Sequence, residues 1–474
     1  MMLTARESRF NVLASFFKSL FLKLVPEHVR PNGHFLLKWL LVGFLVRVIV
    51  SPLLVSTDAI VILWRSYIIA HSHALLPMGD PPLISLIIAP LLVIFVPSAS
   101  LRVFGDVVTN VRFSPFVASV PVRMAYEGVP AILFVYKIPY LILDLALAFL
   151  LLRFFSDSKK ASLAFKLWCI NPISIFITFA IGQYDIFPVF FMLLAFYFLK
   201  SDRPGWSAVS LGIASVFKLF AFPLLFPVAL IYSKHKITLK NKAVAFLRFS
   251  MIGLTPIIIG IVGSFIIPTY YESINAAYLG FEYYNGFFGS QLFIPFYTIS
   301  NPFLANFFIF IVDFSSKLQI FQGVEIYSIF ISYGIFIFAS VFYERWNFSK
   351  VWKAFLIFFL MFYAFSHFHA QWFLWGQPFL ILLFVEDRKL RKLFPFFILL
   401  FFIYIFYWDS ALTTNLLIPI IPQAWSWPGP LSVLNGLGLP GIQILNVFRS
   451  FLSALCIFTS LIMLKGFNNE PPKG

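Results

Sequence analysis

The sequence predicts an all-α fold, a polytopic bundle of transmembrane helices, and three observations carry that reading. Sixty-one per cent of the 474 residues are apolar and only 11% are charged, against about 25% charged in a soluble domain. The apolar residues come in long runs. Short clusters of Lys and Arg separate those runs. No soluble core hides so much apolar surface behind so few charges, so lipid is the solvent for most of the chain.

The basic clusters set the orientation. They lie at 6–30, 153–166, 200–203, 234–248, 345–353, 388–392 and 465–473 and hold 25 of the 35 Lys and Arg residues. Cytoplasmic loops carry such an excess, which places all seven clusters on one side. The net charge of +16 is then a topology signal, not a nucleic-acid surface. Cys169 and Cys456 both stand in apolar stretches, so neither a disulfide framework nor a thiolate metal site is offered.

Residues 1–35 read as a cytoplasmic basic amphipathic segment. Leu13, Phe16, Phe17, Leu20, Phe21 and Leu24 recur at helical spacing, and no small-residue cleavage site follows an apolar core. A single transmembrane domain over 36–465 and a cytoplasmic tail at 466–474 complete the chain. The first span, 36–55, leads outward and 131–153 returns, leaving 52–130 as a large first extracytoplasmic loop. The apolar run at 81–97 opens on Pro81-Pro82 and has no basic cluster beyond it; it is expected to be a half-buried interfacial helix. Between 167 and 232 the apolar runs, roughly 13–16 residues each, fall short of the ~20 of a full crossing. They are expected to end in thinned bilayer or at a water-filled cavity. Spans near 249–267 and 324–342 enclose a second extracytoplasmic loop, 268–323, rich in Tyr, Phe and Asn. A short pair at 354–366 and 371–385, then spans near 394–408 and 442–464, bring the total to about twelve passes with both termini cytoplasmic.

Charged groups in lipid are expensive and need a partner or a task. Lys137 and Asp144, seven residues apart on one helical face, are expected to form a structural ion-pair network tying the second span to its neighbours. Arg47 and Lys218 stand where a cation would hold a phosphate and stabilise it as it departs; for Lys218, snorkelling to the interface is the competing reading. The remaining embedded polar residues collect at turns that parity puts outside: Gln183 and Asp185, then His367, His369 and Gln371. Asp58, just beyond the first span, lies on the same side, and a cavity open there is implied. His367 and His369, at i and i+2, do not share a helical face. Hydrogen bonding to phosphate or sugar suits them better than a metal pair. Asp58, in S-P-L-L-V-S-T-D-A-I, reads either as a solvated loop acid or as a general base for an acceptor hydroxyl.

Read in order, several segments make a pattern: D-P-P-L-I-S-L-I-I-A-P-L at 80–91, K-I-P-Y-L-I-L-D at 137–144 and N-P-I-S-I-F-I-T-F-A-I-G-Q-Y-D at 171–185. F-K-L-F-A-F-P-L-L-F-P at 217–227 and A-Q-W-F-L-W at 370–375 continue it. The pattern resembles the GT-C superfamily of polyprenyl-phosphate-sugar-dependent glycosyltransferases. Within that group it is most similar to the catalytic subunit of the first GPI mannosyltransferase and its prokaryotic relatives. The resemblance implies inverting transfer of a hexose, mannose foremost, from a dolichyl- or polyprenyl-phosphate donor to an extracytoplasmic glycolipid, lipid-linked oligosaccharide or protein. It puts the catalytic role on Asp58; beside that, the phosphate is expected on Lys218 with His367 or His369, and Gln183 and Asp185 against the sugar or acceptor. The 268–323 loop would cover the cavity. Relatives often carry D-x-D at the first acid, whereas this chain has Asp58-Ala59-Ile60. A single carboxylate is a poor divalent site, so a metal-independent reaction without cofactor is expected, with Asp80 and Asp185 as the substitutes if a metal is used. Whether a small partner subunit joins is left open. The location implied is a prokaryotic plasma membrane or the endoplasmic reticulum. Two rivals stand beside this reading: a non-catalytic GT-C-like membrane subunit, and a transporter or flippase of lipid-linked sugars, which would show repeated halves.

Overall fold

The computed structural model describes residues 23–72, 83–97, 128–266, 317–321, 324–343 and 346–469. Asp80, residues 1–22 of the amphipathic segment and most of the 268–323 loop lie outside the described residues.

Each of the apolar segments expected to cross contains a helix. Among the described residues, seven helices are long and apolar enough to cross a membrane by length and composition. The first half of the bundle comprises α1 (Gly33–Val50), α2 (Thr57–Ser72), α3 (Leu83–Phe95), α4 (Val129–Leu152) and α5 (Ser158–Cys169). A helical turn, Pro172–Ile175, and a π-helical turn, Phe176–Ile181, prolong α5. Then come α6 (Ile186–Lys200), α7 (Pro204–Phe217), α8 (Leu225–Ser233) and α9 (Leu239–Ile266). After an antiparallel ribbon of β1 (Lys317–Phe321) and β2 (Val324–Tyr327), the chain continues as α10 (Ser328–Phe342) and α11 (Phe348–Phe365). A 3-10 segment, Ala370–Gly376, precedes α12 (Gln377–Glu386), followed by α13 (Phe394–Tyr404), α14 (Pro430–Gly436) and α15 (Gly441–Asn469). The ribbon is the one departure from the all-helical expectation among the described residues; the bundle itself is helical throughout.

The short helices are short because protein, not lipid, surrounds them. In α12 every residue from Gln377 to Val385 is buried, and α6 and α7 bury most of their length. At the α7–α9 crossing a Cβ on Gly212 would lie 2.1 Å from the Gly253 carbonyl oxygen, so only glycine lets the two backbones approach so closely. The segment 52–130, expected to be a loop with interfacial helices, holds two helices among its described residues. Within it α2 packs on α3, which buries Ile84, Ile88 and Leu92 and leaves Val93, Ile94 and Phe95 exposed. Asp58 is therefore not a loop acid but a first-turn residue of α2, whose third residue, Ala59, is capped by the Ser56 hydroxyl at 3.3 Å.

The buried charges pair differently from the sequence expectation. Asp144 takes Arg47 as its ionic partner, at 2.6 Å, with both side chains fully buried. Arg47 thus belongs to the core and is not a cation at the edge of the bundle. Its Nη1 donates to the carbonyls of Gly43 and Cys169 at 3.0 and 2.7 Å, and Nη2 to Trp168 at 3.3 Å. Ser174 donates to the other Asp144 oxygen at 2.9 Å. Lys137 goes instead to three carbonyls: Ser51 at 2.8 Å, Leu54 at 2.5 Å and Phe179 at 2.7 Å. Arg47 on one Asp144 oxygen and Ser174 on the other, with the Arg47 Nη groups on the Cys169 and Trp168 carbonyls, tie α1, α4 and the end of α5 together.

The bundle has two chemically distinct ends. At one, Lys200 Nζ donates to the carbonyls of Arg153 and Phe154, Lys234 Nζ to those of Val341 and Tyr343, and Lys353 pairs with Glu386 at 3.6 Å. There, the N–H groups of Lys160 and Lys159 hold the Asp157 carboxyl below its ordinary value as the cap of α5. The turns at the other end carry Asp58, Gln183, Asp185, Lys218 and the histidines.

Arg47→Ala leaves the Asp144 carboxylate buried without a counter-ion and should cost about 3–5 kcal/mol. Arg47→Met combined with Asp144→Leu should recover most of that loss. Thermal unfolding of the detergent-solubilised variants measures both; a single variant as stable as the parent would refute the cross-link.

Candidate active site

The site is built on helix ends. The π-helical turn closes on Gly182, whose φ of +81° lies in the left-handed region, and the next residues, Gln183–Asp185, lead into α6. A Cβ on Gly182 would meet Ala59 at 3.0 Å and Lys137 Cε at 3.2 Å, so conformation and space both demand glycine. Tyr136 OH donates to the Gly182 carbonyl at 2.9 Å, and Ser56 N donates to Ile181 O at 3.1 Å. These bonds press the start of α2 against the turn. As a result Gln183 Nε2 donates to Asp58 Oδ2 at 3.2 Å. Asp58 is exposed, while Gln183 is buried behind it.

Asp185 sits at the N-terminus of α6, fully buried, with both oxygens engaged. Trp375 Nε1 donates to Oδ1 at 2.6 Å and Lys218 Nζ to Oδ2 at 3.0 Å. Lys218 ends α7 in extended conformation and also lies 4.7 Å from the Tyr184 ring centroid. The lysine read as a phosphate clamp therefore already has an anionic partner. Trp375 stacks face to face on Phe220, centroids 3.5 Å apart.

The histidine turn adjoins this cluster through the indoles. Trp375 stacks on Trp372 at 5.4 Å, and Trp372 meets His369 at 5.0 Å. The turn is extended, not helical, with Ser366 and His369 in the β region. In an extended chain i and i+2 point the same way. His367 and His369 are thus both exposed on either side of a fully buried Phe368, at 5.5 and 6.2 Å from Trp408. The expectation that these imidazoles diverge assumed a helix. Gln371 is buried in the 3-10 segment behind them.

Tyr404 latches the turn by accepting from Phe368 N at 2.9 Å and donating to Phe368 O at 2.7 Å. Arg449 of α15 donates to the Tyr363 and Ser366 carbonyls, both at 2.5 Å, closing the end of α11. Desolvation, then the Arg449 charge, lowers the His367 pKa, and both favour the neutral imidazole. Arg449, Tyr404 and Trp375 escaped the sequence reading. A charge inside the 442–464 span was the available signal for Arg449; Trp375 stood unremarked in A-Q-W-F-L-W.

Asp58 pairs with Gln183, and, two residues on, Asp185 joins Lys218 and, through Trp375 and Trp372, the histidine turn. Residues 113–286 match the family model of glycosyltransferase family 87. This is a GT-C-type family of membrane glycosyltransferases. The matched segment is less than half of the chain; Lys137, Asp144, Gln183, Asp185 and Lys218 fall inside it, Asp58 and the histidine turn outside. No curated protein and no solved structure matches the chain. Nothing in these comparisons singles out the first GPI mannosyltransferase. Helical bundle and family match together indicate a membrane-embedded glycosyltransferase.

Gly182→Ala should loosen the Asp58–Gln183 contact and cost roughly 1–3 kcal/mol, since it forces a side chain into left-handed backbone against Ala59. Thermal unfolding in detergent tests this, and an unchanged midpoint would contradict the packing described.

Proposed function

We propose that this protein transfers a hexose, with inversion, from a polyprenyl-phosphate carrier to an acceptor hydroxyl outside the cytoplasm. The single observation that supports it best is the Gln183–Asp58 hydrogen bond. It holds an exposed carboxylate in one orientation at the end of the bundle opposite the basic turns. By the positive-inside rule that end is extracytoplasmic and both termini are cytoplasmic.

In this reading Asp58 takes the acceptor proton as the acceptor oxygen bonds to the anomeric carbon. The bond from that carbon to the phosphate oxygen breaks, and the lipid phosphate leaves with the electron pair. Lys218 keeps Asp185 neutralised. Gln183 and Gln371 contact sugar or acceptor. His367 and His369 serve as hydrogen-bond partners, and Trp408 supplies an aromatic face beside them. Mannose is the hexose to test first, given the likeness to the first GPI mannosyltransferase. The sequence reads Asp58-Ala59-Ile60, with no second acid at the D-x-D position, so transfer is proposed to be independent of added divalent metal.

Asp58→Asn, which keeps the size and the contact with Gln183, should lower transfer from radiolabelled polyprenyl-phosphate mannose by about 10²–10⁴-fold with unfolding unchanged. Transfer at the parental rate would remove Asp58 from the chemistry. No transfer by the parent protein with any hexose donor would favour a non-catalytic subunit. In the same assay EDTA should leave the rate unaltered; a loss restored by Mg²⁺ or Mn²⁺ would sink the metal-independent mechanism.

A further inference from the structure

Arg65 lies seven residues after Asp58 in α2, two turns away on the same face and about 10 Å along the axis. Between them on that side Ile62 is buried while Asp58 is exposed, so the two residues line the rim of the surface that α2 packs into the protein. Arg65 is itself half-buried, and its Nε is shut off from solvent with no hydrogen-bond acceptor among the described residues. That is costly for a guanidinium, and the chain treats its other buried arginines differently. Arg47 places all three nitrogens on acceptors, and Arg449 is committed to carbonyls and to Ser453. Lys218, the other cation near the acid, is occupied by Asp185 at 3.0 Å.

We infer that Arg65 is the residue that binds the phosphate of the lipid-linked donor. The inference rests on the glycosyltransferase reading above. A planar guanidinium suits a tetrahedral phosphate by bidentate hydrogen bonding. An inverting displacement puts the base and the leaving phosphate on opposite sides of the anomeric carbon. Two helical turns between Asp58 and Arg65, plus the reach of the arginine side chain, leave room for one sugar ring between them. Negative charge on the phosphate grows as the carbon–oxygen bond breaks and a phosphodiester becomes a phosphomonoester. A fixed cation there stabilises the product side of the reaction.

The test is binding of undecaprenyl phosphate to the full-length protein in lipid nanodiscs, with undecaprenol and dissolved inorganic phosphate as the other arms. The parent should bind the lipid phosphate and not the alcohol. Arg65→Gln should weaken that binding by about ten- to a hundredfold and raise KM for the donor by a similar factor. Arg65→Lys, which keeps the charge and loses the fork, should weaken it severalfold, and it decides the question if Arg65→Gln loses its thermal transition. Parental affinity in a folded Arg65→Gln protein, or in Arg65→Lys where the first variant does not fold, overturns the inference. Inorganic phosphate competing as well as the lipid overturns the assignment to a lipid carrier. A parent protein that binds undecaprenyl phosphate through Arg65 but transfers no sugar ends the glycosyltransferase reading and leaves the phosphate site standing.

Discussion

The geometry of this molecule depends most on Lys137 and the three carbonyls it holds. Its Nζ reaches Ser51 and Leu54 at the end of α1 and Phe179 in the π-helical turn, all from a position that is 1% exposed. Helix ends and π-turns leave carbonyls without backbone partners, and inside a lipid-facing bundle no water can take them up. One side chain with three donors satisfies carbonyls from two separate helices at once. The neighbouring Tyr136 adds a bond to the Gly182 carbonyl. Two consecutive residues of α4 therefore fix both the segment that delivers Asp58 and the turn that delivers Gln183.

The same solution recurs on the other side of the site. Arg449 reaches from α15 to the open carbonyls at the end of α11, and Tyr404 closes a two-way latch on Phe368. Between these anchors lies a stack of indoles, Trp372 on Trp375, with Trp375 bonded to the buried Asp185. The site is thus rigid where it is buried, at Asp185, Gln183 and Trp375, and open at Asp58, His367 and His369. Hydrogen-bonded Asp185, Gln183 and Trp375 behind a few exposed polar groups are the arrangement that preorganised catalysis needs.

The rest of the bundle separates two demands. One end collects lysines on free carbonyls at turns between helices, as Lys200 and Lys234 do. The other end holds the acids, amides and histidines. Long helices such as α9 and α15 expose apolar faces, whereas α6, α7 and α12 are enclosed by their neighbours. Enclosure frees them from the length of a bilayer crossing, and their ends bring polar residues inward without exposing them to lipid.

What the amino-acid sequence decides by itself is the solvent of the chain and the placing of its helices. Apolar runs and basic clusters are local properties, and each expected segment does hold a helix. The residues of the site were also legible one by one, because a polar group in an apolar run stands out. Their partners were not. Lys137 and Asp144 share a helical face, yet Asp144 pairs with Arg47, ninety-seven residues away. Asp58 looked like a loop acid, and only the cap by Ser56 and the contact with Gly182 reveal a helix beginning there. That helix in turn aligns Arg65 with Asp58. The two histidines face the same way because Tyr404 and Arg449 keep their turn extended. Pairing depends on which helix ends meet in space, and no local pattern encodes that; the tertiary structure alone decided it.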